Sequence, residues 1–286
     1  MTRIAILSPT ADNPMYGAIY PRWFKRLEAA LATAGLTAEA APWTQPFDPA
    51  PYAAVLPMMA WGYHQHTDQW FALLDRLEAS GVTVLNPVET LRWNTAKTYL
   101  LDLAAHGAPV IPTLAVEAVT PAAIEAARAS FGVADLVAKP QISAGAHRTV
   151  VLRPGDPLDG APTGAALIQP FLPAVREEGE LAVFWFGGRF SHAVSKVAAP
   201  GEFRVQAQYG GQETLVDPTP EALAAAQAVF KAAARPITYC RIDLIRALDG
   251  RLALMELEAI EPDLFLEHAP DGGAMFGAAV RAALTL

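Results

Sequence analysis

A chain of 286 residues that is 52% hydrophobic, with a mean hydropathy of +0.23, holds enough apolar material for one large or two smaller cores. A net charge of -8, a pI of about 5.3 and the lack of a basic stripe argue against a nucleic-acid partner, because phosphate contacts need clustered Lys and Arg. Cys240 is the single cysteine, so no intramolecular disulfide can form. No run reaches the ~18 apolar residues of a membrane span, and the first apolar run is too short for a signal peptide, so a cytoplasmic protein without a membrane partner is expected.

In chain order, R-I-A-I-L (3–7) reads as a short strand ending at S-P-T. Ile19, Trp23, Leu27 and Leu31 recur at helical spacing, and Gly35 supplies a stop. Residues 52–58 read as a buried strand, 68–81 as a helix closed by Gly81, and 82–87 as a further strand. The alternation of strand and helix predicts a small parallel α/β unit over residues 1–87. It has no G-x-G-x-x-G after its first strand and is not read as a dinucleotide-binding module.

Residues 89–107 read as one helix closed by Gly107, and 120–132 as a helix opened by Thr120 and Pro121. Strands follow at 135–140, 148–153, 165–171 and 180–196, the last with Gly187-Gly188 as a hairpin turn. Residues 219–234 again open with Thr-Pro and read as a helix. Most strands after residue 135 are hairpin-linked, which predicts largely antiparallel sheets.

The last predicted hairpin carries the most chemistry. Y-C-R-I-D-L-I-R-A-L (239–248) and R-L-A-L-M-E-L-E (251–258) flank Asp249-Gly250, a type I′ turn signal. A two-residue loop would pair Asp243 with Glu256 and Arg241 with Glu258. Alternation would put these four on one face, with Cys240, Ile242, Leu244, Met255 and Leu257 on the core face. Opposed like charges destabilise a sheet, so Asp243 across from Glu256 needs a cation. Arg241 could supply part of it, and a hard divalent ion would do better. The plain alternative is a solvated acidic face.

W-N-x-x-K (93–97), V-A-K-P (137–140), Q-P-F-L (169–172), G-E-L-A-V-F (179–184), G-E-F-R-V-Q (201–206), G-G (210–211), R-x-D (241–243) and E-L-E (256–258) occur in that order. The set resembles the ATP-grasp superfamily, especially its glutathione-synthetase-like and D-cycloserine-synthase-like members, over residues 86 to 268. The resemblance implies an N-terminal parallel α/β domain (1–87), followed by two ATP-grasp subdomains (88–170 and 171–286) with largely antiparallel sheets that hold ATP between them. It further implies an ATP-dependent ligase that forms a carbon–nitrogen bond through an acyl phosphate, with Mg²⁺ and with Mn²⁺ as a substitute. By the same resemblance, Lys97 and Lys139 hold nucleotide phosphates, and Gln169, Phe171 and Leu172 lie along the adenine. Glu180 meets the ribose and Lys196 approaches the nucleotide. Ser143 and Gly145 belong to a loop over the phosphates. Arg204 and Arg241 face the transferred phosphoryl group, and Asp243, Glu256 and Glu258 bind the metal. A homodimer is common among such proteins.

No nucleophilic side chain stands out, since neither Ser143 nor Ser191 has an obvious partner set and Cys240 is expected to face the core. For the acceptor, the loops D-N-P-M-Y (12–16) and W-G-Y-H-Q-H (61–66) follow predicted strands, where α/β units present ligand groups. Asp12, Tyr16, Tyr63 and His64 are the candidates for contact with a small, amino-acid-like substrate. A competing reading is a regulatory protein that binds ATP without turning it over. The roles of His147 and Glu261 stay open at this level.

Overall fold

The computed structural model describes residues 2–199 and 210–284. The chain begins with β1 (Thr2–Ser8), α1 (Tyr20–Ala32), β2 (Leu36–Pro42), β3 (Ala54–Leu56) and α2 (Thr67–Ser80). β1 is central in a parallel sheet of order β2-β1-β3. Its residues from Ile4 to Ser8 are buried on both faces, as a covered parallel strand requires. Two details differ from expectation. The Ala-rich run 36–42 forms β2, because pairing along the whole of β1 outweighs its weak strand propensity. Residues 82–87 make a single bridge, Val84 to Val55, and are no strand. There the chain is held by the buried Asn86 instead. Its amide donates to the Tyr239 and Ala259 carbonyls at 2.9 and 2.8 Å and accepts from the Thr238 N–H at 2.6 Å.

Next come α3 (Val88–Thr95), α4 (Tyr99–Ala105), β4 (Leu114–Val116), α5 (Pro121–Phe131), β5 (Leu136–Pro140), β6 (Val150–Leu152) and β7 (Ala166–Pro170). The strands make an antiparallel sheet of order β4-β7-β5-β6. The helix expected over 89–107 is two helices. Ala96 is extended (φ -100°, ψ 124°), and the Lys97 N–H donates to the Gln141 carbonyl at 2.7 Å rather than into the helix. The apolar spacing runs on through the break, so the pattern could not reveal a kink imposed by a distant carbonyl. Thr120 caps α5 as expected, accepting from the Ala123 N–H at 3.1 Å.

The remainder holds α6 (Ala174–Glu177), β8 (Glu180–Phe186), β9 (Arg189–Val197), β10 (Gln212–Val216), α7 (Pro220–Ala233), β11 (Tyr239–Arg246), β12 (Leu252–Glu258) and α8 (Ala274–Ala283). The strands form an antiparallel sheet of order β10-β9-β8-β11-β12. Gly187 and Gly188 turn the β8–β9 hairpin with φ of 55° and 75°, a pair that L side chains adopt poorly.

The last hairpin reaches the expected pairing by a different route. The Ala247 N–H bonds the Arg251 carbonyl at 2.8 Å, so the loop is Leu248-Asp249-Gly250, one residue longer than predicted. A bulge then shifts the register between Asp243 and Leu244, and Asp243 does oppose Glu256 while Arg241 opposes Glu258. The bulge also turns a side chain over. Leu254, not Met255, joins Cys240, Ile242, Leu244 and Leu257 in the core, and Met255 packs on the other face with Ile245.

Helix α8 had no counterpart in the sequence reading. It lies on α1, where Gly277 has room for no Cβ: one would stand 2.3 Å from the Ala30 carbonyl oxygen. Ile4, Ile6, Leu27 and Leu31 share one core with Phe184, Phe186, Tyr239 and Phe276, so the first and last sheets pack as neighbours.

Candidate active site

A cleft of about 920 Å³ opens where the three sheets meet. One half is apolar. Ile111, Ile245 and Met255 line it together with Gln169, Phe171 and Leu172 at the end of β7. The Gln169 amide donates to Thr113 Oγ1 at 2.9 Å, and the Phe171 N–H donates to the Asp135 carbonyl at 3.0 Å. Phe171 therefore offers a ring, covered by the Arg176 guanidinium at 5.0 Å, and not a free N–H. Leu172 keeps a backbone N–H without a partner among the described residues.

The floor of the cleft is a set of buried ions. Lys196 bonds Glu180 at 2.9 Å and Asp243 at 3.0 Å. The Arg241 guanidinium forks onto Asp243 at 3.1 Å, pairs with Glu258, and donates to the Asp263 carbonyl at 3.1 Å. Lys97 pairs with Glu256. Burial opposes ionisation of Asp243, but Arg241 and Lys196 outweigh it and hold the carboxyl below its ordinary range. Glu256 is likewise held low, with Lys97 and Lys139 overcoming burial. Burial and the neighbouring Glu256 and Asp243 push Glu258 up to about 7, with Arg241 only partly offsetting them, and burial raises Glu180. Lys139 stands apart. It is 7% exposed, and no carboxylate lies within ion-pair distance among the described residues. Burial lowers it to about 8.

These pairs answer the charge problem that the sequence posed. Asp243 does oppose Glu256, yet side-chain cations supply the compensation. Among the described residues no three His, Cys, Asp or Glu converge tightly enough to hold a metal. The donors nonetheless fit a hard divalent ion in kind, being carboxylate oxygens of Asp243, Glu256 and Glu258 on one cleft face.

Over the phosphate end lies the loop 141–149. Ser143 is buried and donates to the Pro140 carbonyl at 3.3 Å. Gly145, Ala146 and Arg148 all have positive φ, of 58°, 58° and 54°. Two of these are not glycine, and each costs on the order of 1–2 kcal/mol of backbone strain. The loop carries His147 to 5.5 Å from the His64 ring. Burial first, then His147 and Lys97, lower His64 to about 4, and its Nδ1 is buried without a partner.

On the opposite wall, Tyr16 packs on Trp61 at 5.5 Å and Trp61 on Trp23 at 5.9 Å. Tyr63 lines the cleft but is mostly a core residue, set against Trp70 at 5.3 Å. Asp12 is exposed and is not among the residues that line the cleft. The loop is organised by Asn13, whose Oδ1 accepts from the Met15 and Tyr16 N–H groups at 3.0 and 2.9 Å. Arg204 lies outside the described residues. Sequence reading missed the apolar lining of Ile111, Ile245 and Met255 and the packing of Trp23 on Trp61 in the cleft wall. It also missed Asn94, which clasps β12 through the Leu257 carbonyl at 2.8 Å and the Ala259 N–H at 2.9 Å. A lone Asn in the W-N-x-x-K helix was the available signal.

Comparison with known proteins gives this cleft its class. Residues 10–86 match the family model described as the D-cycloserine synthetase DcsG N-terminal domain. The cycloserine biosynthesis protein DcsG of Streptomyces lavendulae is 31% identical over 282 residues, covering 88% of this chain and 90% of that protein. A crystal structure of the D-cycloserine synthetase DcsG superposes with a TM-score of 0.86 at 26% identity, over 99% of both chains. The ATP-grasp ligase PsnB, solved with a minimal precursor, Mg and ADP, shares the fold with a TM-score of 0.64 at 16% identity, over 99% of this chain and 97% of that one. The fold is that of an ATP-grasp enzyme, and the chain is an ATP-dependent ligase that forms carbon–nitrogen bonds. Within that superfamily, the chain belongs to the DcsG family. No helix of the described residues is long and apolar enough to cross a membrane.

Proposed function

We propose that the enzyme activates the carboxylate of a small, amino-acid-like substrate and joins it to an amine. The carboxylate attacks the γ-phosphorus of ATP, giving an acyl phosphate and ADP. The amine then adds to the acyl carbon, phosphate leaves with the bonding pair, and the amine loses a proton. The observation that carries this reading is Lys139, a buried ammonium at the mouth of the phosphate loop with no carboxylate in ion-pair range among the described residues, which a phosphate oxygen would complete. Lys97 and Lys196 stand beside it, already paired and able to share their charge with a phosphate. Pro170, Phe171 and Leu172 border the apolar half, which suits a purine ring, with the Leu172 N–H, unpartnered among the described residues, assigned to the base edge. We assign Glu180 to the ribose hydroxyls and Arg241 to phosphoryl charge, with Arg204 as the second arginine from the resemblance. Asp243, Glu256 and Glu258 would hold Mg²⁺, or Mn²⁺ in its place, which neutralises phosphate charge when bound. Tyr16, Tyr63 and His64 line the acceptor side. The division at residues 87 and 170 belongs to the same proposal, with the cleft between the parts.

The test is release of ADP across amino acids and small carboxylates with Mg²⁺, compared between the wild type and Glu256→Gln. The variant is expected to lose turnover by at least about 100-fold, a loss of the size seen when an electrostatic partner of the reacting group is removed. Normal turnover by folded Glu256→Gln would refute the assigned role of that carboxylate.

A further inference from the structure

Phe265 holds a backbone conformation that its side chain does not favour. Its φ is 43°, in the left-handed region. Among the described residues, four that are not glycine have a positive φ. Ala146 and Arg148 belong to the loop 141–149, and Ala234 closes α7. Phe265 is the one that is aromatic, and it lines the cleft. A bulky residue stays in this region only where its surroundings fix it, and such strain collects at functional sites.

The surroundings do fix it. The Phe265 N–H donates to Asp263 Oδ1 at 3.0 Å, and the Phe265 carbonyl accepts from the His268 N–H at 2.8 Å. One residue earlier, the Leu264 carbonyl accepts from His192 Nε2 at 3.1 Å, and His192 Nδ1 lies 3.0 Å from the Ser191 hydroxyl. Phe265 is 5% exposed and meets the Phe184 ring edge-on at 5.7 Å, while Phe184 stacks on His192 at 4.2 Å.

This rigid turn abuts Arg241. The guanidinium donates through Nη1 to the Asp263 carbonyl at 3.1 Å, and its carbon lies 5.9 Å from the centre of the Phe265 ring, within cation–π range. Nε and Nη2 go to Asp243 and Glu258. Those two carboxylates are assigned to Mg²⁺, so they cannot be the whole of the hold on the guanidinium. The carbonyl and the ring carry no such second duty. They orient the cation without cancelling its charge, which stays available to a phosphoryl oxygen.

We propose that Phe265 is a positioning residue for Arg241: the strained Asp263–Phe265 turn keeps the guanidinium aimed at the γ-phosphoryl group while Asp243 and Glu258 bind the metal. The proposal rests on the ligase reading for the role of Arg241, and the measurement separates the two.

The experiment measures calorimetric dissociation constants of ADP and of the non-hydrolysable β,γ-imido analogue of ATP, each with Mg²⁺. The ratio of the two isolates the γ-phosphoryl contact. The wild type should bind the analogue about 10-fold or more tightly than ADP, the scale of one charge-assisted contact. Phe265→Leu removes the ring face and keeps an apolar side chain. It should cut the ratio about 3- to 10-fold, the range of one cation–π contact, with ADP affinity held within about twofold. Arg241→Lys should also cut the ratio, and adding Phe265→Leu to it should change the ratio no further, because the two act as one unit. Asp263→Ala removes the acceptor of the turn and should cut the ratio as Phe265→Leu does, whereas Asp263→Asn keeps that acceptor and should keep the ratio. Should Phe265→Leu fail to bind ADP and so fail to fold, the two Asp263 variants decide. A folded Phe265→Leu with the wild-type ratio, an equal further loss in the Arg241→Lys background, or two Asp263 variants that behave alike overturns the proposal and leaves the role of Arg241 standing. A wild type that does not prefer the analogue, or Arg241→Lys with the wild-type ratio, overturns the role of Arg241 in the ligase reading and the proposal with it.

Discussion

Lys139 should make nucleotide affinity depend on pH in a defined window. The ordinary value for a lysine is 10.5, and burial in this cleft lowers it to about 8. The gap corresponds to about 3 kcal/mol between the charged and neutral forms. A bound phosphate oxygen supplies the missing counter-charge and should return the lysine toward 10.5. At neutral pH the free enzyme already carries the proton, so binding takes up little. Above pH 8 the free lysine loses its proton while the bound one keeps it, and each further pH unit should weaken binding about 10-fold until the bound lysine titrates. The dissociation constant of ADP, measured by calorimetry at fixed free Mg²⁺, should therefore rise about 10-fold between pH 7 and pH 9. Lys139→Met should bind ADP weakly and with a flat profile over the same range. The sign for folding is separate. A lysine whose folded value is depressed costs stability fully below pH 8 and stops costing it by about 10.5. Lys139→Met should therefore raise the melting temperature of the ligand-free protein at pH 7 while it weakens nucleotide binding, a trade typical of strained sites. A wild-type constant that stays level from pH 7 to 9, or a Met variant that keeps the slope, would refute the reasoning.

Three further outcomes test the frame that holds the cleft. Asn86→Ala strands two carbonyls and an N–H between the first and last sheets, and should cost roughly 2–5 kcal/mol by urea unfolding. Gly277→Ala drives a Cβ toward the Ala30 carbonyl, 2.3 Å away, and should cost about 1–3 kcal/mol, read as a lowered melting temperature with the ADP shift preserved. His192 is 2% exposed, stacked on Phe184 at 4.2 Å, and burial lowers it from 6.5 to about 4. Its contribution is intact above pH 6.5 and is lost as the pH falls toward 4, about 2 kcal/mol between pH 7 and pH 5, so the stability gap between wild type and His192→Gln should narrow by that amount on acidification.

What could be read from the sequence follows how local each signal is. Thr120 and Thr219 announce their helices because the cap is made within three residues, and both hydroxyls accept the expected N–H. Gly187-Gly188 announces a hairpin for the same reason. The acids were legible as a group because alternation on two paired strands is itself a local rule. Failures came where a distant partner decides. The Lys97 N–H leaves its helix for Gln141, far along the chain, and the periodicity carries no trace of it. β2 forms only because β1 lies beside it. The Asp249-Gly250 hairpin shows how two errors can cancel: a loop one residue too short and an unseen bulge left the Asp243–Glu256 pairing intact, and the fault surfaced only at Met255. Asp12 was named because its loop follows a strand; in that loop Asn13 supplies the acceptor that shapes the turn, and Asp12 is exposed.

The cleft also explains why so many buried charges are tolerable. Isolated, any one of Asp243, Glu256, Lys196 or Arg241 would cost several kcal/mol to bury. Arranged as pairs, each satisfies another. Such a network is not chosen for stability, since well-packed apolar residues would serve as well or better. Its use is exchange. A carboxylate that faces a lysine can turn to a metal, and the lysine it releases can turn to a phosphate, with little net change in buried charge. Lys139 is a buried cation on this floor with no carboxylate in ion-pair range among the described residues. An anionic phosphate oxygen meets the demand of Lys139, which an uncharged ligand does not.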